Sequence, residues 1–64
     1  MKITITPTSL YFEDLNEKQF EELKGGYHIN IKIDNKGRYV LTDTPEKLFK
    51  TLLKLSYDYD IELA

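Results

Sequence analysis

Hydrophobic and polar positions alternate most regularly between Tyr27 and Thr42, where Ile29, Ile31 and Ile33 interleave with His28, Asn30 and Lys32. Alternation of this kind sends successive side chains to opposite faces of a pleated strand, so the stretch predicts a half-buried strand. Tyr39-Val40-Leu41 returns after Asp34-Asn35-Lys36-Gly37, which makes the whole a β-hairpin. Asp suits the first position of a type I turn, and a Gly three residues on can take φ > 0 and form a bulge. That turn sets a register of Ile33 opposite Tyr39, Lys32 opposite Val40 and Ile31 opposite Leu41. Ile29, Ile31, Ile33, Tyr39 and Leu41 then share the buried face, with His28, Asn30, Lys32, Arg38, Val40 and Thr42 on the other.

The remaining elements follow from their own patterns. Lys2 to Thr6 alternates as a short strand with Ile3 and Ile5 inward, and Pro7, which offers no amide to a ladder, stops it. Residues 7–15 hold Leu10-Tyr11-Phe12, readable as a further strand or as an apolar loop under the first helix. That helix opens at Asn16, with Gln19 completing a capping box and Leu15 and Phe20 at the spacing of a hydrophobic staple. Gly25 and Gly26 end it, with one of them in the left-handed conformation. Thr44-Pro45-Glu46 starts the second helix with a capping Thr, Pro at the first helical position and then an acid. Leu48, Phe49, Leu52, Leu53 and Leu55 form its buried stripe, and Lys47, Lys50 and Lys54 its wet side. The last segment, Tyr57 to Leu63, alternates as a strand with Tyr57, Tyr59, Ile61 and Leu63 inward and Asp58, Asp60 and Glu62 outward.

The expected order is therefore βαββαβ in a single α+β domain spanning residues 1–64. An antiparallel sheet with two helices on one face satisfies every apolar stripe at once. In element order this resembles the ferredoxin-like fold, a likeness of architecture that carries no function with it.

Composition narrows the classes. A chain of 64 residues buries only about 60% of its unfolded surface. With no Cys, neither disulfides nor thiolate metal sites can support its core. The longest apolar runs are too short for a membrane span, and no basic-then-apolar signal peptide opens the sequence, so a cytoplasmic location is expected. The net charge of −2 is unevenly distributed: residues 1–26 and 57–64 are acidic, and residues 27–56 are basic. Many Lys against a single Arg, with much Ile and Tyr and a single Ala, point to an A/T-rich coding sequence such as that of a low-GC bacterium or its phages.

Candidate chemistry is sparse. His28 is the one His, it falls on the polar strand face, and no Ser stands in a nucleophile context, so no enzyme activity, cofactor or metal is expected. Leu10-Tyr11-Phe12-Glu13-Asp14-Leu15 resembles the first strand motif of RNA-recognition domains. The second motif wants outward aromatics after a basic residue and Gly, whereas Lys36-Gly37 is followed by an inward Tyr39. Leu15 to Gly26 resembles the double-glycine leader of exported bacterial peptides, which implies cleavage after Gly26. Asp58, Asp60 and Glu62, read as an acidic row on one strand face, imply docking on a basic protein surface. The expected function is a non-enzymatic protein-binding module, similar in kind to small acidic phage inhibitors of the anti-CRISPR or anti-restriction type. An exported-peptide precursor and a weak nucleic-acid-binding domain are the alternatives.

Overall fold

The computed structural model describes residues 1–64. The first hairpin joins β1 (Lys2–Thr6) to β2 (Ser9–Phe12), pairing Ile3 with Phe12 and Ile5 with Leu10. Pro7 stops β1 after Thr6 as expected and sits in the two-residue turn that follows, where its fixed φ helps reverse the chain. Neither Pro7 nor Thr8 has a positive φ. The undecided stretch at Leu10-Tyr11-Phe12 is thus a strand, and it lies mid-sheet between β1 and β4.

Helix α1 (Glu17–Gly25) begins with the expected capping box: Gln19 N–H donates to Asn16 Oδ1 at 2.8 Å and Asn16 N–H to Gln19 Oε1 at 3.2 Å. It ends differently from expectation. Gly26 keeps right-handed angles (φ −80°, ψ −40°) and its N–H donates to Glu22 O at 2.7 Å. The left-handed residue comes two positions later, at His28 (φ 56°), after which Ile29 N–H donates back to Leu23 O at 3.1 Å. His28 is therefore a loop residue and not part of a strand.

The second hairpin keeps its expected register over a shorter length. In β3 (Lys32–Ile33) and β4 (Tyr39–Thr42), Lys32 opposes Val40 and Ile33 opposes Tyr39. Asp34 organises the turn. Gly37 N–H donates to Asp34 O at 3.0 Å, and Gly37 takes φ 79°. Asp34 Oδ1 accepts from Lys36 N–H at 2.9 Å and Arg38 N–H at 2.8 Å, and Oδ2 pairs with Arg38 Nε at 2.9 Å. The Arg38 amide above all, aided by the other donors, holds the Asp34 carboxyl below the usual carboxylate range.

Helix α2 (Pro45–Asp58) starts at Thr44, whose Oγ1 accepts from Lys47 N–H at 3.4 Å. It runs through Tyr57 and Asp58, and Tyr59 N–H closes it on Leu55 O at 2.8 Å. The final strand, β5, is therefore only Glu62–Leu63, and the expected strand over Tyr57 to Leu63 does not form. Tyr57, expected to face inward, is 84% exposed.

The five strands form one mixed sheet in the order β3-β4-β2-β1-β5. The β1/β5 pair is parallel and the other neighbours are antiparallel. The element order is ββαββαβ, so the expected βαββαβ order and all-antiparallel sheet are corrected here. The cause is local. β2 pairs with β4, and its hairpin partner β1 occupies the position beside it, so β5 arrives against β1 in the parallel sense.

Register places Ile3, Ile5, Leu10, Phe12, Leu41 and Tyr39 on one sheet face. Ile3, Leu10, Phe12 and Leu41 join Leu15, Leu23, Ile31, Leu48 and Leu55 in a single core of nine buried residues, so both helices cover that face. No helix is long and apolar enough to cross a membrane. The Gly26–Tyr27 bond separates β1, β2 and α1 from β3, β4, α2 and β5, yet the strands of the two segments pair with each other.

Candidate functional site: the exposed flank of α2

Six large apolar side chains remain exposed: Ile5, Ile33, Phe49, Leu53, Tyr57 and Leu63. Three of them stand in one line. Phe49, Leu53 and Tyr57 follow at intervals of four along α2, which puts them on the same side of the helix. Their exposures are 62%, 46% and 84%. The sequence placed Phe49 and Leu53 in the core stripe, but only Leu48 and Leu55 of that stripe are fully buried. A signal for this existed. At 3.6 residues per turn, Leu55, Leu48, Leu52, Phe49 and Leu53 sweep roughly 160° of arc, wider than the ~100° a core-facing stripe needs. One flank of so broad a stripe has no neighbour to pack on.

That flank borders a groove of about 390 Å³. Pro45, Leu48, Phe49 and Leu52 line it from α2, and Ile5, Thr6, Pro7 and Leu10 line it from the first hairpin. The sheet edge is open beside it, because β5 pairs only with Lys2 and Ile3 and leaves the outer edge of the second half of β1 unpaired. Leu63, paired with Ile3, adds a further exposed apolar side chain (58%) on the same edge.

Charge is arranged around this line. Lys50 and Lys54 follow Phe49 and Leu53 by one residue each, and Lys47 lies a turn before Lys50. Lys50 Nζ meets Glu46 Oε1 at 3.6 Å, whereas Lys47 and Lys54 have no carboxylate partner. Asp58, Asp60 and Glu62 are exposed but do not form a row on one strand face. Asp58 ends α2 and accepts a hydrogen bond from Tyr27 Oη. Asp60 lies in the connection, where its carbonyl accepts from the Met1 amino group at 2.9 Å. Glu62 alone is on β5, where it pairs with Lys2 of β1. Tyr59, between them, donates to Glu22 Oε2 at 2.6 Å. That carboxylate, and then partial burial, push the Tyr59 hydroxyl up to about 12.

The helix-free face carries a different surface. Thr4, Tyr11, Val40 and Lys32 form a row across four strands. The Arg38 guanidinium sits 4.4 Å from the Tyr11 ring centroid and is itself held by Asp34, so one face of the ring is covered. Tyr39 turns inward as expected, its ring centroid 4.8 Å from that of Phe20. His28 makes no hydrogen bond; it lines a cleft of about 470 Å³ between the loop after α1 and the end of β4, with Lys32, Asp43 and Thr51. No group of three or more His, Asp or Glu side chains is close enough to hold a metal ion. No protein-family model matches the chain, and no significantly similar curated protein or solved structure was found.

Proposed function

We propose that the chain is a non-enzymatic protein-binding module whose contact surface is the exposed flank of α2 together with the open half of β1. The observation behind this is the line Phe49, Leu53 and Tyr57 beside a groove shared with Ile5. Single exposed apolar side chains are ordinary, but a contiguous set edged by charge marks a contact surface. Asp58 and Asp60 follow Tyr57 and give this surface an acidic end, where basic groups of a partner would be steered and oriented. An inhibitor that works by covering a partner's surface, as small acidic phage proteins do, needs a rigid scaffold and one such face.

The test compares variants that leave the core intact. Phe49→Ser with Leu53→Ser removes the apolar line, and Asp58→Lys with Asp60→Lys reverses its acidic end. Both pairs lie outside the buried core, but the Ser pair gives up partly buried area and the Lys pair the Tyr27 hydroxyl bond to Asp58, so each is expected to cost about 1–2 kcal/mol and cooperative melting is checked first. A protein retained by the immobilised wild-type chain should be lost with the Ser pair and weakened with the Lys pair. Equal retention by wild type and the Ser pair would remove this surface from consideration.

A further inference from the structure

We infer that the cleft beside the end of β4 takes an extended peptide segment, which pairs main chain to main chain with Thr42. This cleft is separate from the α2 flank: Thr51, its one residue from α2, lies about 200° round the helix from Phe49. Three observations carry the inference: the direction of the Thr42 amide, the path of the segment that a longer hairpin would lay against it, and the side chains that border the gap.

The direction of the Thr42 amide follows from its neighbour. Asp43 N–H donates to Thr8 O at 3.1 Å, toward β2. Main-chain groups of successive strand residues point to opposite sides, so Thr42 N–H and C=O face the side that β3 covers at Val40. There Lys32 opposes Val40, and the same register would bring Asn30 opposite Thr42. No main-chain bond joins those two residues.

The covering segment is bent away. His28 takes φ 56°, a region that an L side chain enters at a cost. Ile31 N–H then donates to Ile29 O at 3.0 Å in a three-residue turn about Asn30. Ile29 N–H is itself tied to Leu23 O near the end of α1. These bonds hold residues 28–31 off β4 and leave a cleft of about 470 Å³. A single extended segment can enter it and reach the edge of β4, whereas the loop that walls the cleft keeps out the sheet edge of a second copy.

The border supplies polar groups without partners. The side chains of His28, Asn30, Lys32 and Thr51 line the cleft, and none makes a hydrogen bond or ion pair within the chain. A ligand must replace water at a main-chain donor and acceptor that stand side by side on Thr42. An extended peptide residue offers the matching acceptor and donor, which is how a strand is added to an open sheet edge. An ionised carboxylate offers acceptors alone and leaves the Thr42 C=O unmatched. The free edge, Leu41 to Asp43, is about 10 Å long at strand spacing, enough for a tripeptide.

The probe is the neutral blocked tripeptide acetyl-Ser-Val-Ser-amide, and its control is the same peptide methylated at every main-chain nitrogen. In the free chain, Thr42 N–H should exchange with solvent far faster than Asp43 N–H. NMR titration with the blocked peptide should shift the Thr42 amide signal saturably. Exchange then proceeds only from the free fraction, so peptide at about nine times its Kd should slow Thr42 exchange about tenfold. The methylated peptide should do neither. Thr42→Pro removes the donor at an edge position where Pro is tolerated, and it should abolish binding while keeping a dispersed spectrum. If that variant does not fold, the methylated peptide decides alone. Exchange of Thr42 as slow as that of Asp43 in the free chain would overturn the inference, as would equal shifts from the two peptides or no shift from either. Acetate shifting Thr42 where the peptide does not would overturn it too, and would assign the cleft to an anion.

Discussion

Gly25 and Gly26 are adjacent, yet substitution by Ala should move stability in opposite directions. At Gly25, inside α1, a Cβ would meet nothing within 4 Å. Ala there restricts the unfolded chain and suits the helix, so it should stabilise by about 0.4–1 kcal/mol. At Gly26 a Cβ would lie 2.9 Å from the Glu22 carbonyl oxygen, the atom that already accepts the Gly26 N–H at 2.7 Å. Both partners are backbone, so relief requires moving the last turn of α1 or lengthening that hydrogen bond. Overpacking of this kind costs about 1–3 kcal/mol, and the same entropic gain offsets part of it, leaving a net loss of about 1 kcal/mol. The two variants should then differ by about 2 kcal/mol, or roughly 8–15 °C in melting midpoint for a domain of this size. Thermal melts followed by circular dichroism would resolve this easily. Gly26→Asn sharpens the comparison, because Asn tolerates a left-handed cap but would meet the same clash here. Gly26→Ala melting together with Gly25→Ala, or Gly26→Asn restoring the wild-type midpoint, would refute the close-approach account.

The hairpin register gives a second test. Ile31 is 3% exposed, so Ile31→Asp places an unpaired charge in the core and should abolish the folded spectrum, whereas Lys32→Asp should cost under ~0.5 kcal/mol. Tyr59 gives a test at high pH. Its folded pKa of about 12 lies above the unfolded value near 10, so its contribution is complete below about pH 10 and disappears as pH rises toward 12. The wild type should therefore lose more urea resistance than Tyr59→Phe between about pH 9 and about pH 11.5. Equal losses would mean that the Glu22 contact does not hold the hydroxyl.

What was legible in the chain was whatever short-range chemistry decides. Asp34 and Gly37 specify one turn and hence one register, and Asn16 with Gln19 and Thr44 with Pro45 specify two helix starts. The end of α2 was not legible, because Tyr57, Tyr59, Ile61 and Leu63 alternate as a strand would. Two interactions take residues 57 and 58 into the helix instead. One is the Tyr59 N–H bond to Leu55 O, and the other is the Tyr27 hydroxyl on Asp58. The second joins residues far apart in sequence, and no local pattern contains it. The same limit applies to the site. Asp58, Asp60 and Glu62 depended on a strand that gives way to a helix, while Phe49 and Leu53 were mistaken for core because the position of α2 over the sheet was not yet known. The second strand was similarly ambiguous until its partners, β1 and β4, were in place.

The parallel pairing of β1 with β5 has a consequence for the order in which the molecule can assemble. Glu62 N–H donates to Met1 O at 2.8 Å and Ala64 N–H to Ile3 O at 3.0 Å, so β1 is completed by residues that follow every other element of the fold along the chain. The entropy of closing so long a loop grows slowly with length, but such non-local contacts slow the search for the native topology. Until Leu63 docks, the outer side of β1 is an unpaired strand edge beside exposed apolar side chains, the combination that recruits other chains. The protein's most vulnerable moment is thus a kinetic one. It falls between the formation of the β1–β2 hairpin and the arrival of β5, and a chain in which β5 has not yet docked would be the species most prone to aggregate.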